Sequence, residues 1–331
     1  MTDVVALAAE LLAIESQTGS EQRAVDFVSR WLVARGWNVH LQEVTRGRAN
    51  IWASHGGGAV TLSTHLDTVP PHVPPRLVGD TLFGRGACDA KGIAAAMMAA
   101  ADHLAGAGER RVDLLFVVGE EKGSDGARAA NRLQATSRFL VNGEPTESRL
   151  ASGAKGSQRV VVRTRGRAAH SAYAHLGSSA IEPMLALLPT IHGIDFPEDP
   201  VLGATTLNIG TIHGGTEANI VPAQCEAEIM FRVVGPVESL RAAVEAWAAG
   251  KAELEWGSYI PPQRFHTIEG FDVAPVAYTS DIPLLGRWGT PLLFGPGSIN
   301  VAHTPDERID VAELRSAVAA YERIVRALLA A

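Results

Sequence analysis

The chain has 331 residues, of which 46% are hydrophobic and 20% charged, and its formal net charge at pH 7 is −7. This length favours two domains over one, and the composition is typical of a globular protein without low-complexity segments. The acidic balance and the lack of a Lys/Arg run argue against a nucleic-acid-binding surface.

The first helix is the amphipathic stretch MTDVVALAAELLAIES, which has an acid where a signal peptide needs a basic region. No apolar run is as long as a membrane span. The two cysteines, Cys88 and Cys225, do not form a disulfide framework, and we interpret Cys88 as a small buried thiol rather than a ligand. These features predict a cytoplasmic protein without membrane contact.

Strands and helices alternate in the first half of the chain. The predicted elements are helices over 3–15 and 20–35, strands near 38–44, 51–53 and 60–63, an Ala/Met-rich buried helix over 91–107, an apolar strand in RVDLLFVVGEE, a helix near 127–134 and a strand at 139–141. This alternation predicts a doubly wound, mostly parallel α/β sheet with helices on both faces.

The pattern changes after about residue 155. The stretch 156–267 has the order β-α-β-β-α-β, which is typical of a ferredoxin-like split βαβ plait of α+β class. The chain then returns with a strand at PLLF and an amphipathic helix over 311–329. We therefore predict a discontinuous domain formed by 1–155 and 268–331, interrupted by an inserted domain at 156–267.

Histidines and carboxylates collect where predicted strands end or helices begin. They are His65 with Asp67, Asp89, Glu120 with Glu121, Glu144, and His303. Adjacent glutamates after an apolar strand are costly to desolvate unless a positive partner holds them, and a metal is the simplest such partner. Two histidines and three carboxylates, one of them shared, would give three ligands to each of two divalent ions.

Each of these groups also has an ordinary structural interpretation. Glu120 and Glu121 could form a solvated turn, Glu144 could be a salt-bridged loop acid, and His303 could be a surface histidine. Their joint occurrence at strand ends is what favours a metal site. Nucleotide binding by the glycines of GRGACDAKG is a poor alternative, because the spacing is not G-x-G-x-x-G.

Five ordered blocks carry a family resemblance: STHLDTVP, GRGACDAKG, GEEKGSDGA, VNGEPTE and GPGSINVAHTPDERI. They resemble the signatures of the aminoacylase/carboxypeptidase family of co-catalytic zinc hydrolases, which includes acetylornithine deacetylase and succinyl-diaminopimelate desuccinylase. The resemblance implies a zinc-exopeptidase type of fold whose inserted domain serves as a lid and dimerisation domain.

The same resemblance implies the roles of the strand-end residues. One ion would be bound by His65, Asp89 and Glu144, and the other by Asp89, Glu121 and His303, so that Asp89 bridges. Asp67 would hydrogen-bond His65 and fix its tautomer. Glu120 would be the general base. The family also tends to have a cis peptide after the bridging aspartate, here the bond Asp89–Ala90. Zinc is the expected metal, and cobalt or manganese could replace it.

The inserted domain carries further residues that match the family. His170 in RGRAAHSAYAHLG corresponds to a histidine that stabilises the oxyanion and that a partner subunit supplies in dimeric relatives; His175 is the competing choice. Asn219 and Arg232 match positions that bind a substrate carboxylate, a task for which the planar guanidinium is suited. An Arg232 on a strand surface without a ligand is the alternative. Weaker candidates for lining the pocket are Lys155, Gly297 and Ser298.

The resemblance implies hydrolysis of an amide bond in an N-acyl amino acid or small peptide by a homodimeric enzyme. The GPGS and AHTPDE run favours the branch that deacylates acetylornithine and lysine derivatives. Three departures, Thr64 for Gly, Ala90 for Met and Ala174 for Pro, remove no ligand but argue against naming one substrate. The alternative is a catalytically silent, metal-stabilised binding or assembly protein; the presence of Glu120 favours the enzyme.

Overall fold

The computed structural model describes residues 2–331, which divide into two compact units. The first unit contains the chain up to Ser152 together with Phe265–Ala274 and Ser280–Ala331. The second contains Gly153–Arg264 and Pro275–Thr279. The chain therefore leaves the first unit and returns to it, with limits within a few residues of 155 and 268, and Pro275–Thr279 is a second short excursion that the sequence did not predict.

The α-helices are α1 Val4–Leu12, α2 Gln22–Val33, α3 Lys91–Gly106, α4 Asp125–Ala130, α5 Ile181–Leu187, α6 Val237–Ala248 and α7 Val311–Ala330. Short 3₁₀ helices cover Ser171–Leu176, Leu188–Gly193 and Ile282–Leu284. The strands are β1 Asn38–Thr45, β2 Arg48–Ser54, β3 Val60–His65, β4 Arg76–Val78, β5 Thr81–Phe83, β6 Val112–Val117, β7 Phe139–Asn142, β8 Leu150–Ala154, β9 Gly156–Arg165, β10 Glu198–Asp199, β11 Gly203–Ala204, β12 Thr206–Gly214, β13 Gln224–Val233, β14 Glu253–Ile260, β15 Gln263–Arg264, β16 Val273–Val276, β17 Thr290–Leu293 and β18 Arg308–Asp310.

A six-stranded sheet forms the centre of the first unit, in the order β1-β2-β6-β3-β7-β17. The pairs from β6 to β17 are parallel, and β1 and β2 add an antiparallel edge. Parallel strands need helical crossovers, and these cover both faces of the sheet. The predicted doubly wound, mostly parallel α/β class is confirmed.

Strand β6 shows how the two faces are used. Leu114 and Phe116 belong to the large core with α1, α2, α3 and α7, whereas Leu115 and Val117 belong to a smaller core with α4 and Trp288. Successive side chains of a strand point to opposite faces, so a continuous apolar run is what a doubly covered strand requires. The Ala/Met-rich helix α3 is buried along nearly its whole length, as its composition predicted.

Two local predictions need correction. The helix predicted near 127–134 begins and ends earlier, at Asp125–Ala130. The stretch after β6 is not a strand up to the glutamates: β6 ends at Val117, and Gly119 has a φ of 78°. A positive φ favours glycine because it has no Cβ, and here it turns the chain immediately before Glu120. The hairpin of β4 and β5 follows a proline-rich segment that the sequence left unassigned.

The second unit has a four-stranded antiparallel sheet in the order β12-β13-β9-β14. Helices α5 and α6 supply its core together with Val160, Ile229 and Phe231. Counting β9, α5, β12, β13, α6 and β14 along the chain gives β-α-β-β-α-β, so the predicted plait is present. None of the helices within residues 2–331 has the length and apolarity to cross a bilayer.

Candidate metal centre

Neighbouring parallel strands bring the predicted ligands to one edge of the large sheet. His65 is the last residue of β3, Glu120 and Glu121 follow β6, and Glu144 follows β7. Because β6, β3 and β7 are adjacent and parallel, their carboxyl ends meet at the same edge. The sequence therefore places these groups together through strand order alone.

Asp89 lies between the two histidines. The Nε2 atom of His65 is 3.1 Å from Oδ1 of Asp89, and the Nε2 atom of His303 is 3.2 Å from Oδ2. His303 also lies 3.0 Å from a carboxylate oxygen of Glu121. One carboxylate thus contacts both imidazoles through different oxygens, which is the arrangement a bridging ligand needs. His303 has a positive φ of 63°, a backbone conformation that is uncommon for residues other than glycine.

Glu144 is buried beside these residues, and its Oε1 atom has no hydrogen-bond partner among residues 2–331. Burial raises its pKa well above the ordinary value, and the charge of Glu120 adds to the effect. A buried carboxylate oxygen without a partner is costly, so this atom is suited to binding a cation. Glu120 is only partly exposed, and burial, followed by the charge of Asp281, raises its pKa well above the ordinary value.

The histidines respond to the same excess of negative charge. Burial disfavours protonation of His65, but the carboxylates of Asp67 and Asp89 outweigh it and hold the pKa well above the usual range. Hydrogen bonds to Asp89 and Glu121 raise the pKa of His303 to about 10. Opposite charges nearby favour the charged form of a group, so both imidazoles report a strongly negative site.

The donor set fits divalent metal ions. Ligand atoms of His65, Asp89 and Glu121 lie within 4.8 Å of one another. Within the described chain, no lysine or arginine forms an ion pair with Asp89, Glu121 or Glu144. Imidazole and carboxylate ligands suit zinc, cobalt and manganese. The chemistry of the residues therefore supports a metal centre, while the assignment of ligands to two separate ions stays a prediction.

Asp67 has a different set of contacts from the one expected. The Nδ1 atom of His65 is 3.0 Å from the backbone carbonyl of Asp67, whereas the carboxylate is 3.5 Å away. A carbonyl oxygen only accepts hydrogen bonds, so the proton of neutral His65 is on Nδ1 and Nε2 is available to a metal. The carboxylate instead accepts the backbone N–H groups of Glu120 and Glu121, at 3.0 and 3.1 Å, and the hydroxyl of Thr18.

The Asp89–Ala90 peptide bond is cis, as the resemblance implied. Cys88 is buried, and its Sγ atom contacts the backbone carbonyl of Ser298 at 3.7 Å. Gly297 packs on the other side: its φ is 88°, and a Cβ placed on it would be 2.5 Å from the Cβ of Cys88. The two residues proposed to line a pocket therefore support the turn that carries Asp89, with Gly297 buried and Ser298 partly exposed.

The remaining predicted residues belong to the second unit. His170 is exposed, and its neighbour Ser171 donates a backbone hydrogen bond to the carbonyl of Asn219 at 2.9 Å. The Nδ1 atom of His170 accepts the backbone N–H of Ala172 at 3.1 Å, so the proton of its neutral ring is on Nε2. His170 and Asn219 are thus close together and present polar groups outward.

Arg232 and Lys155 differ in their availability. Arg232 is half-buried on β13, where burial lowers its pKa, and it forms no ion pair within the part of the chain described here. Lys155 is already engaged, since its ammonium donates to the carbonyl of Ala204 at 2.6 Å. Of the two, Arg232 has the guanidinium free for an anionic group.

Known proteins resemble this chain in sequence and in fold. The sequence model of peptidase family M20/M25/M40 matches residues 61–327. The chain is 39% identical to a peptidase M20 domain-containing protein of Schizosaccharomyces pombe, over 98% of this chain and 84% of that protein. The chain belongs to this family. It is also 37% identical to a probable carboxypeptidase of Aspergillus clavatus, over 97% and 81% of the two chains.

A solved tripeptidase from Staphylococcus aureus has the same fold, with a TM-score of 0.81 at 22% identity, over 98% of this chain and 97% of that one. The predicted membership in the aminoacylase/carboxypeptidase type of metallopeptidase is therefore confirmed. As an M20 peptidase, the chain is a metallohydrolase that acts on amide bonds.

Sequence reasoning on this M20 peptidase missed Thr18 and Asp281. Thr18 donates to Asp67 at 2.7 Å. Asp281 is buried in the same unit; burial raises its pKa to about 6 and its charge acts on both Glu120 and Glu144. Its only signal was an acid in the apolar run AYTSDIPLL, which does not reveal what it faces.

Proposed function

We propose that this M20 peptidase hydrolyses the amide bond of an N-acyl amino acid or small peptide that carries a free carboxylate, with two divalent ions at the candidate metal centre. The observation that supports this best is the convergence of both imidazoles on the single carboxylate of Asp89. Beside them lie two carboxylates that no lysine or arginine within residues 2–331 neutralises, namely the buried Glu144 and the partly exposed Glu120. Zinc is the metal we expect.

In this proposal His65, Asp89 and Glu144 hold one ion, and Asp89, Glu121 and His303 hold the other. When bound, the two ions would lower the pKa of a water molecule and polarise the amide carbonyl. His65 is prepared for its part because the carbonyl of Asp67 fixes the proton on Nδ1.

Glu120 is the proposed general base. It takes a proton from the attacking water and passes it to the leaving amine, so one carboxylate serves as base and then as acid. Burial and the charge of Asp281 raise its pKa, which makes it a better proton acceptor than an exposed glutamate. The backbone N–H of Glu120 donates to the carboxylate of Asp67, and this hydrogen bond fixes the position of the Glu120 backbone.

Residues of the second unit are proposed to bind the substrate. Arg232 would meet the substrate carboxylate bidentately with the help of Asn219, and the Nε2 proton of His170 would stabilise the oxyanion. His170 could act in its own chain or in that of a partner. A homodimer through this unit is supported by β12, an edge strand of nine residues whose outer side has no partner among residues 2–331. We propose a cytoplasmic location, because both Cys88 and Cys225 are free thiols.

The test is a panel of N-acetylornithine, N-acetyl-lysine, N-succinyl-diaminopimelate and dipeptides, assayed with zinc or cobalt and with a chelator. We expect turnover of one class that the chelator abolishes. Glu120→Gln should retain its metal and lose about 10²- to 10⁴-fold in kcat. Glu322→Gln is the matched control, since Glu322 on α7 pairs with His103 rather than with a site residue.

Full activity of Glu120→Gln would overturn the role of the base. Full turnover in metal-free protein would overturn the metal centre. A protein that binds two ions and turns over no member of the panel would favour the metal-stabilised binding protein instead.

A further inference from the structure

Glu307 ends the HTPDE sequence that begins with His303, yet it is in neither proposed ligand set. Its side chain is fully buried. Such a carboxylate must be compensated, and Arg85, which is buried as well, forms an ion pair with its Oε2 atom. The pair links two segments that are more than 200 residues apart in sequence, namely the turn before Asp89 and the loop that carries His303.

The second oxygen of Glu307 contacts backbone N–H groups and the thiol of Cys88, whose Sγ atom lies 3.8 Å away. Its Oε1 atom accepts the N–H groups of Gly86 at 2.9 Å, Cys88 at 3.3 Å and Asp89 at 3.2 Å. The backbone carbonyl of Glu307 also accepts the N–H of Gly84 at 3.0 Å. Converging backbone N–H groups form a concave site for an anion, and here a carboxylate of the same chain fills it.

These contacts fix the position of the Asp89 backbone. The N–H of Asp89 itself points to Glu307, and the ring of His303, four residues before Glu307, meets the carboxylate of Asp89 at 3.2 Å. The two loops are therefore in contact at two places, once through Glu307 and once through the predicted ligands Asp89 and His303. A shift of Glu307 would change the distance between Asp89 and His303.

We propose that Glu307, paired with Arg85, is a positioning residue that sets the distance between Asp89 and His303 by holding the Gly84–Asp89 turn against the His303 loop. This inference rests on the proposed function, because it gives Asp89 and His303 the role of metal ligands. Replacement of a residue that orients a metal ligand without binding the metal itself typically weakens metal affinity about 10- to 100-fold.

The experiment compares Glu307→Gln with wild type at a temperature where both are folded. The metal dissociation constant is measured by competition with a chromophoric chelator, and the visible absorption of the cobalt-loaded protein reports the ligand arrangement. The amide of Gln can still accept from the backbone but turns an NH₂ group toward Arg85. We expect metal binding to weaken about 10- to 100-fold and the cobalt absorption to change.

Ile324→Val is the matched control, because it removes one methyl group from the buried core of α7 and leaves both loops intact. It should lower the melting temperature without changing the metal affinity or the cobalt spectrum. Arg85→Lys keeps the positive charge and serves if Glu307→Gln does not fold; it should show a smaller loss in the same direction.

Unchanged metal affinity and spectrum in folded Glu307→Gln or, where that variant fails to fold, in Arg85→Lys would overturn the positioning role while leaving the proposed function intact. A wild-type protein that binds no zinc or cobalt would overturn the proposed function, and the positioning role with it.

Discussion

Replacement of Asp67 tests whether the loop carrying Glu120 and Glu121 depends on one carboxylate. In the structure this buried group accepts three hydrogen bonds, from the backbones of the two glutamates and from the hydroxyl of Thr18. Asp67→Asn preserves the shape but exchanges one acceptor oxygen for an NH₂ donor. The Thr18 hydroxyl can rotate to accept from this donor, whereas a backbone N–H cannot.

The substitution therefore leaves one buried N–H without an acceptor and removes the charge from the remaining bonds. An unsatisfied buried donor costs about 1 to 3 kcal/mol, and a hydrogen bond to a charged group contributes about 1.5 to 3 kcal/mol. We expect Asp67→Asn to lower the free energy of unfolding by about 2 to 4 kcal/mol. Because Glu120 and Glu121 lose their backbone anchor, kcat should fall about 10- to 100-fold.

The dependence on pH supplies an independent signature. Burial alone would raise the pKa of Asp67, but His65 and Thr18 outweigh it and the pKa is lowered. A carboxylate with a depressed pKa stabilises the fold above its unfolded pKa of about 3.9, and this contribution is lost as the pH falls through the folded pKa. The stability difference between wild type and Asp67→Asn should thus be full near neutral pH and shrink below about pH 4.

Urea unfolding and steady-state assays measure both effects. Thr18→Val is the control: it removes one hydroxyl from the same carboxylate and should cost about 1 kcal/mol with little loss of kcat. Wild-type stability and wild-type kcat in Asp67→Asn would refute the anchoring role.

Three further predictions concern other contacts. Gly297→Ala should lose about 2 to 4 kcal/mol in urea unfolding, because φ is 88° and the new Cβ would be 2.5 Å from that of Cys88; wild-type stability would contradict it. Arg48→Met should lose about 3 to 5 kcal/mol, since it strands the buried charge of Glu21, and the added Glu21→Gln should recover part of the loss. Burial lowers the pKa of Lys91 to about 7 in the folded state, from 10.5. Between these two pH values the unfolded state binds more protons than the folded state, so the free energy of unfolding of the wild type should rise with pH by up to about 1.4 kcal/mol per pH unit. Lys91→Met should lack this gain, which parallel pH profiles of unfolding would measure.

The positions of His65, Glu121 and Glu144 could be predicted from the sequence because strand ends are visible in the apolar pattern. Parallel order then brings the ends of β3, β6 and β7 together without further information. His303 was harder, since it lies in a loop, and only the AHTPDE block pointed to it.

The contacts of Asp67 could not be predicted in the same way. The sequence places Asp67 two residues after His65, but whether its carbonyl or its carboxylate faces the ring depends on the turn that Gly119 makes across the sheet edge. That turn directs two N–H groups at the carboxylate, which is held 3.5 Å from the imidazole, while the backbone carbonyl lies at 3.0 Å. Backbone geometry that depends on distant segments of the chain cannot be predicted from the spacing of residues within one segment.

Apart from Glu120 and Asp281, the acidic residues around the centre divide into two groups by what they contact. Asp89, Glu121 and Glu144 face imidazoles or have an oxygen without a partner, as ligands do. The others accept backbone N–H groups of the loops that carry the ligands: Asp67 from Glu120 and Glu121, Glu307 from Asp89, and Glu313 from Gly297 at 2.9 Å. A loop held by a buried carboxylate loses several hydrogen bonds at once when it moves, so the ligands can be fixed in place before a cation binds. Both groups consist of aspartates and glutamates, often in the same sequence blocks, and only the direction of each side chain distinguishes a ligand from a residue that holds a loop.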